Sequence, residues 1–367
     1  MDLKEILRTM VQNEASDLHI KVGSPPIVRL NGELVPLEHP LATREEVDQA
    51  LTELLPQAQR DKFLERHELD CAVGVRQLGR FRVNVAVQRG SPTLTMRAIP
   101  IAVKSIAALH LPQVVANLCL RPRGLVLVTG ITGSGKTTTL AAMVEHVNAR
   151  KRVKIVTIED PVEYLFRDNQ AFISQREVGT DTESFSSGLR HVLRQDPDVI
   201  MIGEIRDVET METALKAANT GHLVFATLHT TDAVQTIQRI LTFFPPHQHG
   251  EIRMLLGESL QGVISLRLIP RADAQGRVPA SEVMVASQAI REYIMSPSDQ
   301  HTIPDLIAQG VVQYGMQTFD QSLMQLYHDG LITEQESLAN ATNPAEFALR
   351  LRGIEASSDR AWEGSKL

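Results

Sequence analysis

The stretch LVLVTGITGSGKTTTL, Leu125 to Leu140, joins an apolar run, a glycine-rich turn and the start of an alanine-rich helix without a break. Gly130, Gly135, Lys136 and Thr137 satisfy the spacing G-x-x-x-x-G-K-[ST], and the strand before and helix after are the context that the motif requires. Gly130, Gly133 and Gly135 let backbone N–H groups converge on phosphate oxygens at a helix N-terminus. Thr132, Ser134 and Thr138 are further candidate contacts in the same loop. Lys136 is placed to reach the β and γ phosphates, and the Thr137 hydroxyl suits Mg²⁺. The loop points to a nucleoside triphosphate and leaves open what its energy is used for.

Outward from the loop, further apolar runs recur: KIVTIE, DVIMIG and HLVFATL. Runs that are continuous rather than alternating are expected of a parallel sheet covered on both faces, so the chain from about Pro112 reads as α/β. Ligands in such sheets sit at the C-terminal strand ends. That places Glu204, at the end of DVIMIGE, beside the phosphates, to hold Mg²⁺ through water or to orient an attacking water. TIEDPVEY ends a strand with Glu159, Asp160 and Glu163, and Pro161 forbids the ladder to continue. Glu163 is a candidate general base, the alternative being a loop acid that solvates or caps. His222 and His229 bracket one strand, about 23 Å apart at ~3.3 Å per residue, too far to touch one phosphate. His229 lies at the ligand end and is the candidate γ-phosphate sensor; His222 serves a subunit or domain contact or is a satisfied structural histidine.

The first 100 residues read differently, as a smaller α+β module. A helix through Asn13 is followed by short alternating runs, a charged helix from Thr43 to about His67, and three strands, DCAVGV, RFRVNVAV and TLTMRAIP. In the second of these Phe81, Val83, Val85 and Val87 take one face, leaving Arg80, Arg82 and Asn84 on the other; in the third, Arg97 opposes Leu94, Met96 and Ala98. Arg82 and Arg97 thus share either a solvated sheet face or, if that face closes on the loop, the role of arginine fingers. Residues 101–111 are the expected linker, 112–353 the second domain including its C-terminal helices, and 354–367 a disordered tail. After Pro270 a polar insert, RADAQGRVPA, is expected to lead to one more strand.

A chain of 367 residues exceeds a single core, in keeping with two domains. A net charge of -7 argues against bulk attraction to nucleic acid, and four tyrosines and one tryptophan offer little for base stacking. A P-loop nucleic-acid translocase is therefore a weakly supported reading. Cys71 and Cys119 form no C-x-x-C pair and are expected as buried, inert thiols. No apolar run approaches the ~20 residues of a membrane span, and the amphipathic N-terminus lacks a signal-peptide core, so a cytoplasmic protein is expected.

The ordered motifs SDLHI, GRFRVNV, the phosphate loop, IEDPVEY, NQAFISQREVG, LRQDPDVIMIGEIRD, TGHLVFATLHT and GMQTFDQSL resemble those of the secretion ATPases of type II secretion and type IV pili, most closely the pilus retraction ATPases. The resemblance spans nearly the whole chain. It implies a PAS-like N-terminal domain, a RecA-like P-loop ATPase domain, and a homo-hexameric ring binding ATP between them. It assigns Asp160 to an acidic box and His222 and His229 to a histidine box of the nucleotide site, and it makes Arg82 and Arg97 phosphate contacts. It also implies a peripheral place at the inner-membrane base of the pilus machine, with a membrane platform protein and a paralogous pilus ATPase as candidate partners. The tetracysteine insert of the extension ATPases is absent, which favours retraction. The retraction-class motif AIRNLIRE reads AIREYIMS here, Ala289 to Ser296: Ala289, Ile290, Arg291 and Ile294 are kept, and Tyr293, Met295 and Ser296 depart. That departure leaves two readings, a self-sufficient motor and an accessory subunit that turns over weakly alone.

Overall fold

A computed structural model describes residues 1–13, 15–30, 32–99, 102–274, 276–297 and 302–354. The expected tail beyond Ile354 lies outside these residues. The chain divides into two compact units, Met1–Ala102 with Pro161–Leu165, and Val103–Asp160 with Phe166–Leu367.

The first unit is built on six strands, β1 (Asp17–Lys21), β2 (Ile27–Leu30), β3 (Glu33–Pro36), β4 (Glu68–Val75), β5 (Gly79–Gln88) and β6 (Ser91–Ile99). They pair antiparallel in the order β3-β2-β1-β6-β5-β4. The expected alternation sets the buried face: Phe81, Val83, Val85, Leu94 and Met96 are each 1% exposed or less and pack with the helix Leu3–Gln12. Val87 departs from the pattern and is exposed, because β5 runs out towards a turn there. The charged helix expected from Thr43 to His67 is two helices, Arg44–Leu54 and Gln57–Arg66. Pro56 separates them: the residue before a proline is driven out of the helical region, and Leu55 is extended at ψ 132.

The second unit carries β7 (Gly124–Thr129), β8 (Lys154–Glu159), β9 (Phe172–Glu177), β10 (Val199–Ile202), β11 (Leu223–Leu228), β12 (Leu260–Pro270) and β13 (Arg277–Val285). Their order is β13-β12-β7-β11-β10-β8-β9, parallel from β12 to β9 with β13 antiparallel at the edge. Every residue of β7, β10 and β11 is buried. Since successive side chains point to opposite faces, the sheet is covered on both sides. β9 and β12 carry no separate signal in the sequence reading. β12 follows the helix His249–Ser259 with no intervening loop, so its apolar residues read as a continuation of that helix. Part of the polar insert expected after Pro270 is the start of β13. The expected linker contributes Ile106 and Leu111 to the core of the second unit. A smaller cluster packs Phe319, Leu323 and Phe347 of the C-terminal helices on Ile269, Val278 and Ala280.

Cys71 and Cys119 are both buried, and burial pushes the Cys119 thiol well above its ordinary range. Among the described residues no helix is long and apolar enough to cross a membrane.

Candidate functional site

The glycine-rich turn leaves the C-terminal end of β7 and opens the helix Lys136–Asn148. Gly130, Gly133 and Gly135 have φ of 144°, 77° and 97°, values that side-chain-bearing residues rarely adopt. At Gly130 there is also no room, since a Cβ would stand 2.7 Å from the Leu266 carbonyl oxygen. Nothing lies within 4 Å of a Cβ at Gly133, so the crest of the loop is open. The helices Val208–Asn219 and Ala233–Thr242 begin with aspartate caps, Asp207 and Asp232, whereas the loop helix begins at Gly135 with no side-chain cap. Its first-turn N–H groups are thus turned to the loop rather than to a capping oxygen. The Lys136 ammonium donates to the carbonyls of Gly130 and Ile131 at 2.8 and 2.9 Å. Ser134 Oγ is buried without a hydrogen-bond partner among the described residues, and the Thr137 hydroxyl makes no hydrogen bond there. Beneath the loop, Thr129 Oγ1 donates to Ser265 Oγ at 2.9 Å, tying β7 to β12.

β10 stands two strands from β7, roughly 10 Å across the sheet. Gly203 follows its last residue, its N–H donating to Ile158 O at 2.8 Å and its carbonyl accepting from Thr227 Oγ1 at 2.5 Å. Glu204 follows, at the same C-terminal edge as the loop. Its Oε2 meets Arg206 Nη2 at 2.8 Å and its Oε1 meets His229 Nε2 at 3.1 Å, while Arg206 Nη1 lies 3.7 Å from Asp160 Oδ2. Asp160, Arg206, Glu204 and His229 thus form one row across the ends of β8, β10 and β11. Partial burial would raise the Glu204 carboxyl; the hydrogen bond and charge of Arg206, joined by His229, outweigh it and hold the group below the usual carboxylate range. Arg206 is pushed up in return, chiefly by its hydrogen bond to Glu204. Beside this row runs a groove of about 770 Å³ lined by Glu204, Arg206, His229, Gln235, Gln238 and Arg239 among others.

His222 is not part of this grouping. It precedes β11 at the N-terminal edge of the sheet, where its carbonyl accepts from the Gly124 N–H at 2.9 Å and its Nδ1 lies 3.0 Å from Ala217 O. A full strand separates it from the phosphate loop of the same chain, in line with the structural or contact role read from its position and not with the nucleotide contact that the resemblance implies. Glu159 is likewise a structural acid, buried and accepting from Thr157 and Gln175 at 2.6 and 3.0 Å.

Glu163, Arg82 and Arg97 belong to the first unit. Arg82 and Arg97 are direct cross-strand partners on β5 and β6, and Arg97 in turn opposes Asp17 on β1. Arg97 Nε donates to Asp17 Oδ1 at 2.8 Å, and Ser16 Oγ donates to Asp17 Oδ2 at 2.8 Å. Arg82 is exposed and has no ion pair among the described residues. Two like charges directly opposite each other repel, and Asp17 offsets this on the Arg97 side. Arg206 is the residue that the sequence reading missed; the alternation Glu-Ile-Arg, which sets Glu204 and Arg206 on one side of an extended chain, was the signal available.

The family described as Type II/IV secretion system protein matches residues 1–338. The Type IV pilus ATPase PilU of Pseudomonas aeruginosa is 39% identical over 98% of this chain and 94% of its own length. The Type IV pilus retractation ATPase PilT of the same organism is 41% identical over 95% of this chain and 100% of its own. The crystal structure of the pilus retraction motor PilT with bound ADP superposes with a TM-score of 0.86 at 43% identity, covering 94% of this chain and 98% of that one.

Proposed function

The chain belongs to the type II/IV secretion system protein family, and on that premise we propose that it is an ATP-hydrolysing motor of type IV pilus retraction. The hydrolytic reading is carried by one arrangement: an open phosphate loop and a carboxylate held anionic between Arg206 and His229, at the same edge of one sheet. The residues present fit a nucleotide with its metal. The loop offers backbone N–H groups, an ammonium resting on loop carbonyls that phosphate oxygens would outcompete, and a Thr137 hydroxyl engaged in no hydrogen bond among the described residues. Gly130, Thr132, Gly133, Ser134, Gly135 and Thr138 would surround the phosphates. Thr137, and Glu204 through water, would hold Mg²⁺, which when bound neutralises charge on the phosphate oxygens.

Hydrolysis needs a water in line with the γ phosphate. Glu204 orients that water by accepting a hydrogen bond from it, and His229 and Arg206 fix the direction of its carboxylate. Asp160 sets Arg206 in turn. Glu163 as general base and Arg82 and Arg97 as phosphate contacts are the first unit's share of the proposal. Arg97 is already paired with Asp17, and the exposed Arg82 beside it is the guanidinium more open to a phosphate. The assembly proposed is a homo-hexamer at the cytoplasmic face of the inner membrane, working on a membrane platform protein.

Steady-state ATPase activity of the purified chain, with Glu204→Gln beside it, tests the reading. Turnover should fall at least a hundredfold in the variant with ATP binding retained, since only the charge that orients water is removed. A variant hydrolysing at near the parent rate refutes the role. The second reading, an accessory pilus ATPase, is favoured by the departures at Tyr293, Met295 and Ser296. It expects ATP binding with turnover that rises only when a second pilus ATPase is added.

A further inference from the structure

Glu282 stands on β13 and is 9% exposed. Its Oε1 accepts a hydrogen bond from the backbone N–H of Ala233 at 2.9 Å. Ala233 is the first residue of the helix Ala233–Thr242, whose own cap, Asp232, accepts from the Gln235 N–H at 2.8 Å. Local side chains ordinarily serve a helix start. Here a buried carboxylate from a distant strand serves it as well.

The four residues from His229 to Asp232 join β11 to this helix. They are short and internally braced: Thr230 and Thr236 share a hydroxyl hydrogen bond of 2.7 Å, and Thr236 Oγ1 donates to Asp232 O at 2.6 Å. A displacement of the helix start is therefore passed on to His229 rather than absorbed. Gln235 lines both the groove beside Glu204 and a second cavity of about 660 Å³ that holds Glu282. The start of the helix is the wall between them.

We propose that Glu282 is a positioning residue for the hydrolytic site: by holding Ala233 it fixes the turn that aims His229 at Glu204. The kinetic consequence rests on the ATPase reading; the structural one does not. The surroundings of Glu282 make the hold sensitive to its proton. Burial pushes the carboxyl up to about 7, with Asp232 and Asp320 adding to the push and the Ala233 N–H and Arg267 opposing it. Arg267 is partly committed elsewhere, its Nη1 donating to Asn340 O at 2.8 Å and its guanidinium 3.8 Å from the Phe319 ring centroid. Asp305, Glu346 and Arg350 line the same cavity. The N–H bond itself is stronger to the ionised carboxylate, but the cost of burying that charge outweighs it, so the closed packing around the turn is favoured with Glu282 protonated and opens more readily as pH rises through 7.

Hydrogen exchange of the full chain, corrected for intrinsic rates and read by mass spectrometry at pH 6 and pH 8, tests this directly. In the parent, protection of residues 229–242 should fall about tenfold between the two. Glu282→Gln keeps an acceptor oxygen and has no proton to lose, so that fall should vanish. Glu282→Ala has no acceptor, so the segment should be less protected at both pH values while β7 and β11 stay unchanged. In the ATPase assay Glu282→Ala should lower kcat with the KM for ATP unaltered, and Glu282→Gln should restore most of the loss. Equal protection of the segment in all three proteins overturns the proposal, as does a loss spread evenly over the second unit. If the exchange pattern holds and the parent does not hydrolyse ATP, the positioning stands and the ATPase reading falls. If ATP is hydrolysed and the exchange does not respond, the reverse is true.

Discussion

Replacing Glu282 by glutamine should remove one identifiable slope from the dependence of stability on pH. The folded carboxyl binds its proton with a pKa of about 7, against 4.5 for the ordinary group. Between those values the native state carries more protons than the unfolded state, so stability falls as pH rises. The group's contribution is fully present below about pH 4.5 and is lost on passing through about pH 7, the reverse of a salt-bridged carboxylate. Integrated from pH 5 to pH 8, the loss is about 2.5 kcal/mol. For a unit of this size, with an unfolding entropy near 2 cal/mol/K per residue, that corresponds to about 5 °C in Tm. The assay is thermal unfolding followed by far-UV circular dichroism for parent and Glu282→Gln in the same buffers at pH 5, 6, 7 and 8. Other titrations are common to the two proteins and cancel in the difference. The parent should lose about 5 °C relative to the variant across the range, most of it between pH 5 and pH 7. Parallel curves would refute the reasoning, showing that the cavity solvates Glu282 well enough to leave its proton affinity ordinary.

Three other outcomes follow from the geometry. Gly130→Ala places a Cβ against the Leu266 carbonyl at a φ of 144°, so it should cost about 1–3 kcal/mol in urea unfolding and weaken nucleotide binding. A variant of parent stability and affinity would mean that the loop relaxes freely. Arg206→Ala removes the foremost group opposing the effect of burial on Glu204, so the acid limb of the ATPase pH profile should move to higher pH with reduced kcat; an unmoved limb would show that His229 alone holds the carboxylate. Arg97→Ala leaves Asp17 with the Ser16 hydroxyl and the longer Arg29 contact at 4.0 Å, and should destabilise the first unit by about 1–2 kcal/mol at pH 7. Burial raises the Asp17 carboxyl, but the hydrogen bonds from Ser16 and Arg97 lower it further, so its net position is below the usual range. Its stabilisation is therefore present above the ordinary aspartate pKa and lost as pH falls through the depressed one, and unfolding curves of parent and variant should converge in acid.

What the sequence determined by itself was everything encoded within a short window of chain. The glycines and lysine of residues 130–136 specify a phosphate loop because turn chemistry and helix start are local matters. The continuous runs at β7, β8, β10 and β11 and the alternation in β5 and β6 announce which strands are covered on two faces and which on one. Glu204 and His229 were legible for the same reason, since each ends a strand whose direction is fixed by the parallel sheet.

Only the tertiary structure decided which of those strand ends meet. The order β7-β11-β10-β8 brings Asp160, Arg206, Glu204 and His229 into one row, and nothing in the local pattern of any strand carries its rank in the sheet. β12 was hidden because its apolar residues follow a helix without a break, and Pro56 divided a helix that charge pattern alone would have continued. Glu282 is the extreme case: in sequence it is an acid among apolar residues of a strand, and its hold on Ala233 exists only because β13 folds back beside β12 next to the helix that follows β11. Periodicity and turn chemistry act over a few residues, whereas a buried carboxylate finds its partner through the packing of the whole sheet.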